Sequence, residues 1–140
     1  MPKPTETDVL ESAITLVEAT LELNILEWHK RDVINGMLWS ITQARGKYTT
    51  RFRSTAASNA RPGTKLQHEH VVTRKALTDA ILREPQRASE LLGTATGCVV
   101  TIDEHTRLTR ITREQPHLRG WERYTAAGIE IIDTDETSPI

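Results

Sequence analysis

The segments KLQHEHVV (residues 65–72) and GCVVTIDEH (residues 97–105) decide the fold, because each places a glutamate–histidine pair beside a short β-type run. Runs of β-branched and apolar residues of this length are typical of strands. The second run continues into a Thr-x-x-Glu capping box, which predicts a helix through about residue 110. The order of strand, strand and helix can gather imidazole and carboxylate groups around one metal ion. The candidates for that site are Glu69, His70 and His105.

The chain upstream of these segments predicts a helical hairpin. Apolar side chains recur at helical spacing through residues 7–22 and again through about residue 45. The link between the two helices is only two residues long, which favours an antiparallel pair. The candidate capping boxes are Asp8 with Glu11 and Asn24 with Glu27.

Other segments supply the remaining predicted elements. Residues 47–53 alternate in character and predict a short strand or an irregular basic arm. Small residues and a Pro-Gly turn at 54–64 predict a linker. Residues 74–92 have helical spacing that is interrupted at Pro85. The chain closes with two predicted elements, a helix at 119–127 and a strand at 129–132.

These elements predict an α+β fold. We expect an N-terminal helical hairpin, then a ββα-like unit with an inserted helix, then a C-terminal helix and strand. The predicted organisation is a hairpin with a basic arm at 1–53, a linker at 54–64 and a small α+β domain at 65–140. A chain of 140 residues can bury one core, and its aromatic content of 4% predicts that this core is aliphatic.

Charge is distributed unevenly, although the net charge is only −1. Residues 45–75 contain eight basic side chains and one acidic side chain, whereas residues 1–27 are acidic. This distribution indicates a localised anion-binding surface, and the alternative is that acidic and basic segments pair on folding. The predicted nucleic-acid contacts are Arg45, Lys47, Arg51, Arg53, Arg61 and Lys65.

The single cysteine and the absence of long apolar runs narrow the class of protein. Cys98 excludes an internal disulfide and a cysteine-rich zinc knuckle, and its apolar surroundings predict a buried, inert thiol. No apolar stretch reaches the ~18 residues of a membrane span. The N-terminus leads into an acidic amphipathic segment unlike a signal peptide. We therefore expect a cytoplasmic protein with no membrane partner.

Histidine and glutamate side chains next to a basic segment suit phosphodiester chemistry. An imidazole such as that of His70 can accept a proton near neutral pH, while His105 and Glu69 could ligate Mg²⁺ or Mn²⁺. In a regular strand, however, His68 and His70 share a face and Glu69 points away from it. Glu69 and His70 converge only if the strand bends, and without a bend His68 is the expected second ligand.

Two short patterns resemble a known nuclease motif. Glu69-His70-Val71-Val72 resembles the Asp-His-Ile/Val element that opens the His-Me finger (HNH-type) motif. Val99-Val100-Thr101-x-x-Glu104-His105-x-x-Leu108 resembles the strand-to-helix segment that ends it. The resemblance spans residues 65–110 and implies a ββα unit that cleaves DNA or RNA with a divalent metal. The roles that it implies are His70 as general base, Glu69 and His105 as metal ligands, and Arg74 as a phosphate contact.

The sequence departs from this motif and leaves other interpretations open. Thr73 stands where the family usually has proline, and the chain has no asparagine after Asn59. Glu104 has a sufficient structural role as a capping partner, and His105 has one as a hydrophobic-staple partner. The candidate functions are a metal-dependent nuclease, a non-catalytic module that binds nucleic acid or protein, and a nucleic-acid mimic with acidic ends. A protein partner or a second copy would bind the helical hairpin.

Overall fold

A computed structural model describes residues 2–136, and it confirms the predicted α+β class with its N-terminal helical hairpin. The helices are α1 (Glu6–Leu21), α2 (Glu27–Thr42), α3 (Thr55–Ser58), α4 (Arg74–Arg83), α5 (Ala88–Gly93), α6 (Ile102–Glu114) and α7 (Trp121–Ala126), with a 3₁₀ turn at Pro85–Arg87. The strands are β1 (Phe52–Ser54), β2 (Leu66–His70), β3 (Gly97–Thr101) and β4 (Ile131–Asp133).

The described chain divides into two compact units that interleave in sequence. The first unit combines residues 2–45 with residues 73–96, and the second combines residues 46–72 with residues 97–136. The segment 54–64 contains the last residue of β1 and all of α3. Part of this segment is thus regular structure, and its role as a domain linker stays a prediction.

The first unit is entirely helical. Its α1 begins one turn earlier than the predicted capping box, because the Thr5 hydroxyl accepts from the Asp8 amide and the Asp8 carboxylate accepts from the Thr5 amide. The expected cap on α2 at Asn24 is also wrong, since α2 starts after Leu26 without a side-chain cap. Apolar faces hold the hairpin together. Its fully buried members include Ala13, Val17, Ile34 and Leu38.

The predicted interruption at Pro85 is confirmed. The segment forms α4, then a 3₁₀ turn that begins at Pro85, then α5. Proline has no amide hydrogen and its ring clashes with the preceding helical turn, so α4 cannot continue through it. Thr73 caps α4 by accepting from the Ala76 amide. Arg31 of α2 pairs with Asp79 of α4 at 2.8 Å.

The second unit contains a four-stranded sheet in the order β2-β3-β1-β4. β2 and β3 are antiparallel, with His70 opposite Gly97 and Leu66 opposite Thr101. β1 is parallel to β3 and antiparallel to β4. Of the segment 47–53, which was expected to be a strand or an arm, only its last two residues join the sheet.

α6 and α7 cover one face of this sheet. Leu108 of α6 and Tyr124 of α7 pack with Cys98 and Val100 of β3 in the core of the unit. α6 begins at the predicted capping box, in which Glu104 and the residue before the helix bond reciprocally. β2, β3 and α6 therefore form a strand–strand–helix unit, with the first unit's residues 73–96 inserted between the two strands in sequence.

Candidate metal and phosphate site

Side chains of β2 alternate regularly between the two faces of the sheet. His68 and His70 are both buried, and their ring centroids lie 5.3 Å apart in an edge-to-face arrangement. Glu69 lies between them in sequence and points to the opposite face, on which Cys98 is its paired neighbour. The strand therefore separates Glu69 from the two histidines that flank it.

Glu69 instead meets His105 of α6. The Glu69 carboxylate oxygen Oε1 and the His105 ring nitrogen Nδ1 are hydrogen-bonded across 36 positions of sequence. The capping box at Thr101 sets the start of α6, and His105 lies on its first turn beside β2. The side chain of His105 is 40% exposed and that of Glu69 is 15% exposed, so the pair is accessible from solvent.

His68 occupies a tight position on the other face of the sheet. A Cβ atom on Gly97 would approach the His68 Cε1 atom to 2.7 Å, so β3 needs glycine where this imidazole crosses it. Burial, together with the positive charge of Lys47, lowers the pKa of His68 to about 4. His68 is therefore neutral in the folded protein at physiological pH.

The Glu69–His105 pair offers two donors that suit a divalent cation. A carboxylate oxygen is the ligand that Mg²⁺ and Mn²⁺ prefer, and both ions commonly complete their shells with water and substrate phosphate. Among residues 2–136, no cluster of three or more histidine, cysteine, aspartate or glutamate side chains could hold a metal ion. Glu69 and His105 can therefore supply only two protein ligands to a cation. His68 and His70 do not add to them, because they lie on the other face of β2.

Several of the predicted nucleic-acid contacts are engaged within the protein. Arg45 bonds Glu6 at 2.7 Å, and Arg51 binds Asp133 through two hydrogen bonds. Arg53 donates to the carbonyl of Tyr48. Acidic and basic segments therefore pair in part, as the alternative interpretation expected.

The other predicted contacts differ in their surroundings. Lys47 lies 5.1 Å from the centre of the Tyr48 ring, and Arg74 stacks 4.8 Å from the centre of the Trp39 ring. Arg61 and Lys65 are exposed. Within residues 2–136, neither of them forms an ion pair.

A surface cleft along α6 is lined by five residues, of which only His105 was predicted as a site residue. Its lining residues are His105, Thr106, Thr109, Arg110 and Arg113. Their spacing of three and four residues places them on one face of the helix. The same spacing is present in the sequence, but the nucleic-acid contacts were predicted from the basic segment 45–75.

Arg123, a buried arginine on α7, was also absent from the predicted site residues. Its guanidinium donates to the carbonyls of His70 and Val71 at 3.0 and 2.5 Å, and to the Thr112 hydroxyl at 3.2 Å. These bonds fix the end of β2 against α6 and α7. Arg123 therefore holds in place the strand that carries Glu69.

Comparison of the chain with protein-family models, with curated proteins and with solved structures gave no match. The assignment of function therefore depends on the geometry of the site. None of the helices in the described part of the chain combines the length and the apolar character needed to span a bilayer.

Proposed function

We propose that this chain hydrolyses phosphodiester bonds in nucleic acid with a divalent cation held by Glu69 and His105. The observation that carries the proposal is their contact between β2 and the first turn of α6, at a solvent-accessible edge of a strand–strand–helix unit. The resemblance to the His-Me finger motif implies the same two residues as ligands. The expected cations are Mg²⁺ and Mn²⁺, and the expected compartment is the cytoplasm.

The two side chains have complementary tasks. Glu69 supplies negative charge and an oxygen ligand, and His105 supplies a ring nitrogen whose position is set by the capped start of α6. The bound cation would neutralise charge on the phosphate and on the leaving oxygen. Because the two groups bond each other directly, a bound cation would replace this hydrogen bond.

A second candidate function is the binding of nucleic acid without cleavage. The observation that favours it is the position of His70, which the resemblance implies as the general base. Its imidazole is buried on the face of β2 opposite to the face that carries Glu69. A protein in which β2 keeps this geometry could bind nucleic acid, but His70 would not reach the substrate as its proton acceptor.

Cleavage assays separate the two functions. Supercoiled plasmid and single-stranded RNA are incubated with Mg²⁺ or Mn²⁺, with and without chelator. The nuclease proposal expects cleavage that chelator abolishes and that falls at least tenfold in Glu69→Gln and in His105→Ala. The exposed His117→Ala serves as the matched histidine control and should cut like the parent.

The same protein preparations decide between the alternatives. Cleavage that survives chelator, or that is unchanged in both site variants, would contradict the proposal. An inactive parent protein that still retains nucleic acid at low salt would support the binding module. Manganese titration followed by electron paramagnetic resonance should show binding by the parent and by His117→Ala, and weaker binding by the two site variants.

A further inference from the structure

The cleft that includes His105 of the Glu69–His105 pair also carries positive charge from α6. The cleft there is lined by His105 together with Thr106, Thr109, Arg110 and Arg113. Arg110 is five residues after His105, and Arg113 is one further turn along the same helix. A polyanion that lies in this cleft would therefore contact both guanidinium groups as well as His105.

Arg110 and Arg113 are available to a ligand. Both are exposed, and within residues 2–136 neither forms an ion pair or a side-chain hydrogen bond. Glu114 lies four residues after Arg110 but does not pair with it in this part of the chain. By contrast, Arg107 on the same helix is held by Asp103 and by the carbonyl of Ala127.

The two threonine hydroxyls in the cleft already donate within the helix, which leaves the arginines as the donors to an anion. The Thr106 hydroxyl donates to the carbonyl of Ile102, and the Thr109 hydroxyl donates to the carbonyl of His105. Their hydrogens are therefore occupied within the helix. Arginine presents five N–H donors in a planar fork that matches the oxygens of a phosphate.

We propose that Arg110 and Arg113 hold backbone phosphates of a nucleic-acid strand and guide it to the Glu69–His105 pair. This inference depends on the proposed function, because it assumes that the nucleic-acid strand is led toward the Glu69–His105 pair. It moves the main nucleic-acid contact from the segment 45–65 to α6. Recognition through phosphates predicts binding that is largely independent of base sequence.

The test measures binding in chelator, so that cleavage and metal do not contribute. Affinity for a fluorescent duplex is measured against salt concentration for the parent, for Arg110→Gln/Arg113→Gln and for Arg61→Gln/Lys65→Gln. Each double variant removes two exposed positive charges, so the second is a matched charge control. Loss of two phosphate contacts should lower the magnitude of the log–log salt slope by about 1.8.

The inference expects that drop for the α6 variant and a change of less than about 0.5 for the control. An unchanged slope in the α6 variant, or an equal drop in both variants, would overturn it. Arg110→Lys/Arg113→Lys keeps the charge and should keep the slope, and thermal melting confirms that each variant is folded. Failure of the cleavage assay with a normal α6 effect would refute the nuclease proposal alone.

Discussion

Ser54 donates a hydrogen bond of 2.5 Å to Glu104, and this bond joins the end of β1 to the first turn of α6. Both side chains are buried, and they lie 50 positions apart in sequence. Glu104 also accepts from the Thr101 amide, while the Ser54 hydroxyl accepts from the Ala57 amide at the start of α3. The Ser54–Glu104 bond thus connects the N-terminal cap of α3 to that of α6 at the end of β1.

Removing the carboxylate of Glu104 should destabilise the protein more than removing its charge. Glu104→Ala leaves the Ser54 hydroxyl and the Thr101 amide without their acceptor, and we expect a loss of about 2–4 kcal/mol in the free energy of unfolding. Glu104→Gln keeps an acceptor oxygen and should lose about 1 kcal/mol. Urea denaturation measures both. Equal losses in the two variants would show that the hydrogen bonds do not set the stability here.

A methyl group on Gly97 should collide with the ring of His68. Gly97→Ala is expected to cost about 1–3 kcal/mol, because the added Cβ would approach the His68 ring to 2.7 Å in a packed site. Gly36 of α2 is the matched control, since its added Cβ meets nothing within 4 Å. Gly36→Ala should stabilise the protein by about 0.5–1 kcal/mol.

The collision can be tested by a double-mutant cycle. In a His68→Ala background the Gly97→Ala substitution should cost at least about 1 kcal/mol less than in the parent, because the ring that it meets is gone. Thermal and urea denaturation supply the four free energies of unfolding. Additive losses would mean that the strain arises from another neighbour, for which Thr50 is the next contact.

Loss of Arg123 should destabilise the strand that carries the site. Arg123→Met removes the donor to two buried backbone carbonyls, those of His70 and Val71, and we expect a loss of about 2–4 kcal/mol. Arg119→Met removes an exposed arginine from the same region and should change stability by less than about 0.5 kcal/mol. Hydrogen exchange of the β2 amides should rise in the first variant only. A mild effect of Arg123→Met would contradict its structural role.

Cys98 should be unreactive in the folded protein. Its side chain is buried, and burial together with the negative charge of Glu104 raises the pKa of the thiol from an ordinary value near 9 to about 12. Ellman's reagent at pH 8 should label the native chain only at its rate of opening, and should label it fully in urea. Rapid labelling in native buffer would contradict the packing around β3.

The same thiol should make the stability of the protein fall at alkaline pH. A raised pKa means that the folded state favours the protonated thiol, so its contribution is complete below pH 9 and is lost as the pH rises toward 12. The loss attributable to Cys98 should approach about 1.4 kcal/mol per pH unit in that range. Cys98→Ala should lose less stability over the same range than the parent. Identical pH profiles would remove this role.

Part of the candidate site was predictable from local sequence. The Thr101-x-x-Glu104 spacing located the start of α6, because a capping box involves residues only three positions apart. The alternation of β2 placed His68 and His70 together and Glu69 on the other face, since strand side chains repeat every two residues. The interruption at Pro85 was equally local. By contrast, the α1 cap was misassigned because acidic residues at adjacent turns give equivalent local patterns.

Sequence by itself determined the α+β class, the helical hairpin and the order of strand, strand and helix, because capping, periodicity and proline act over a few residues. Only the tertiary structure decided that Glu69 meets His105 without His70, that Arg51 binds Asp133 and that β1 lies beside β3. These contacts join residues that are 36 to 82 positions apart. Their choice depends on which apolar faces pack and in which register, and no local pattern encodes that outcome.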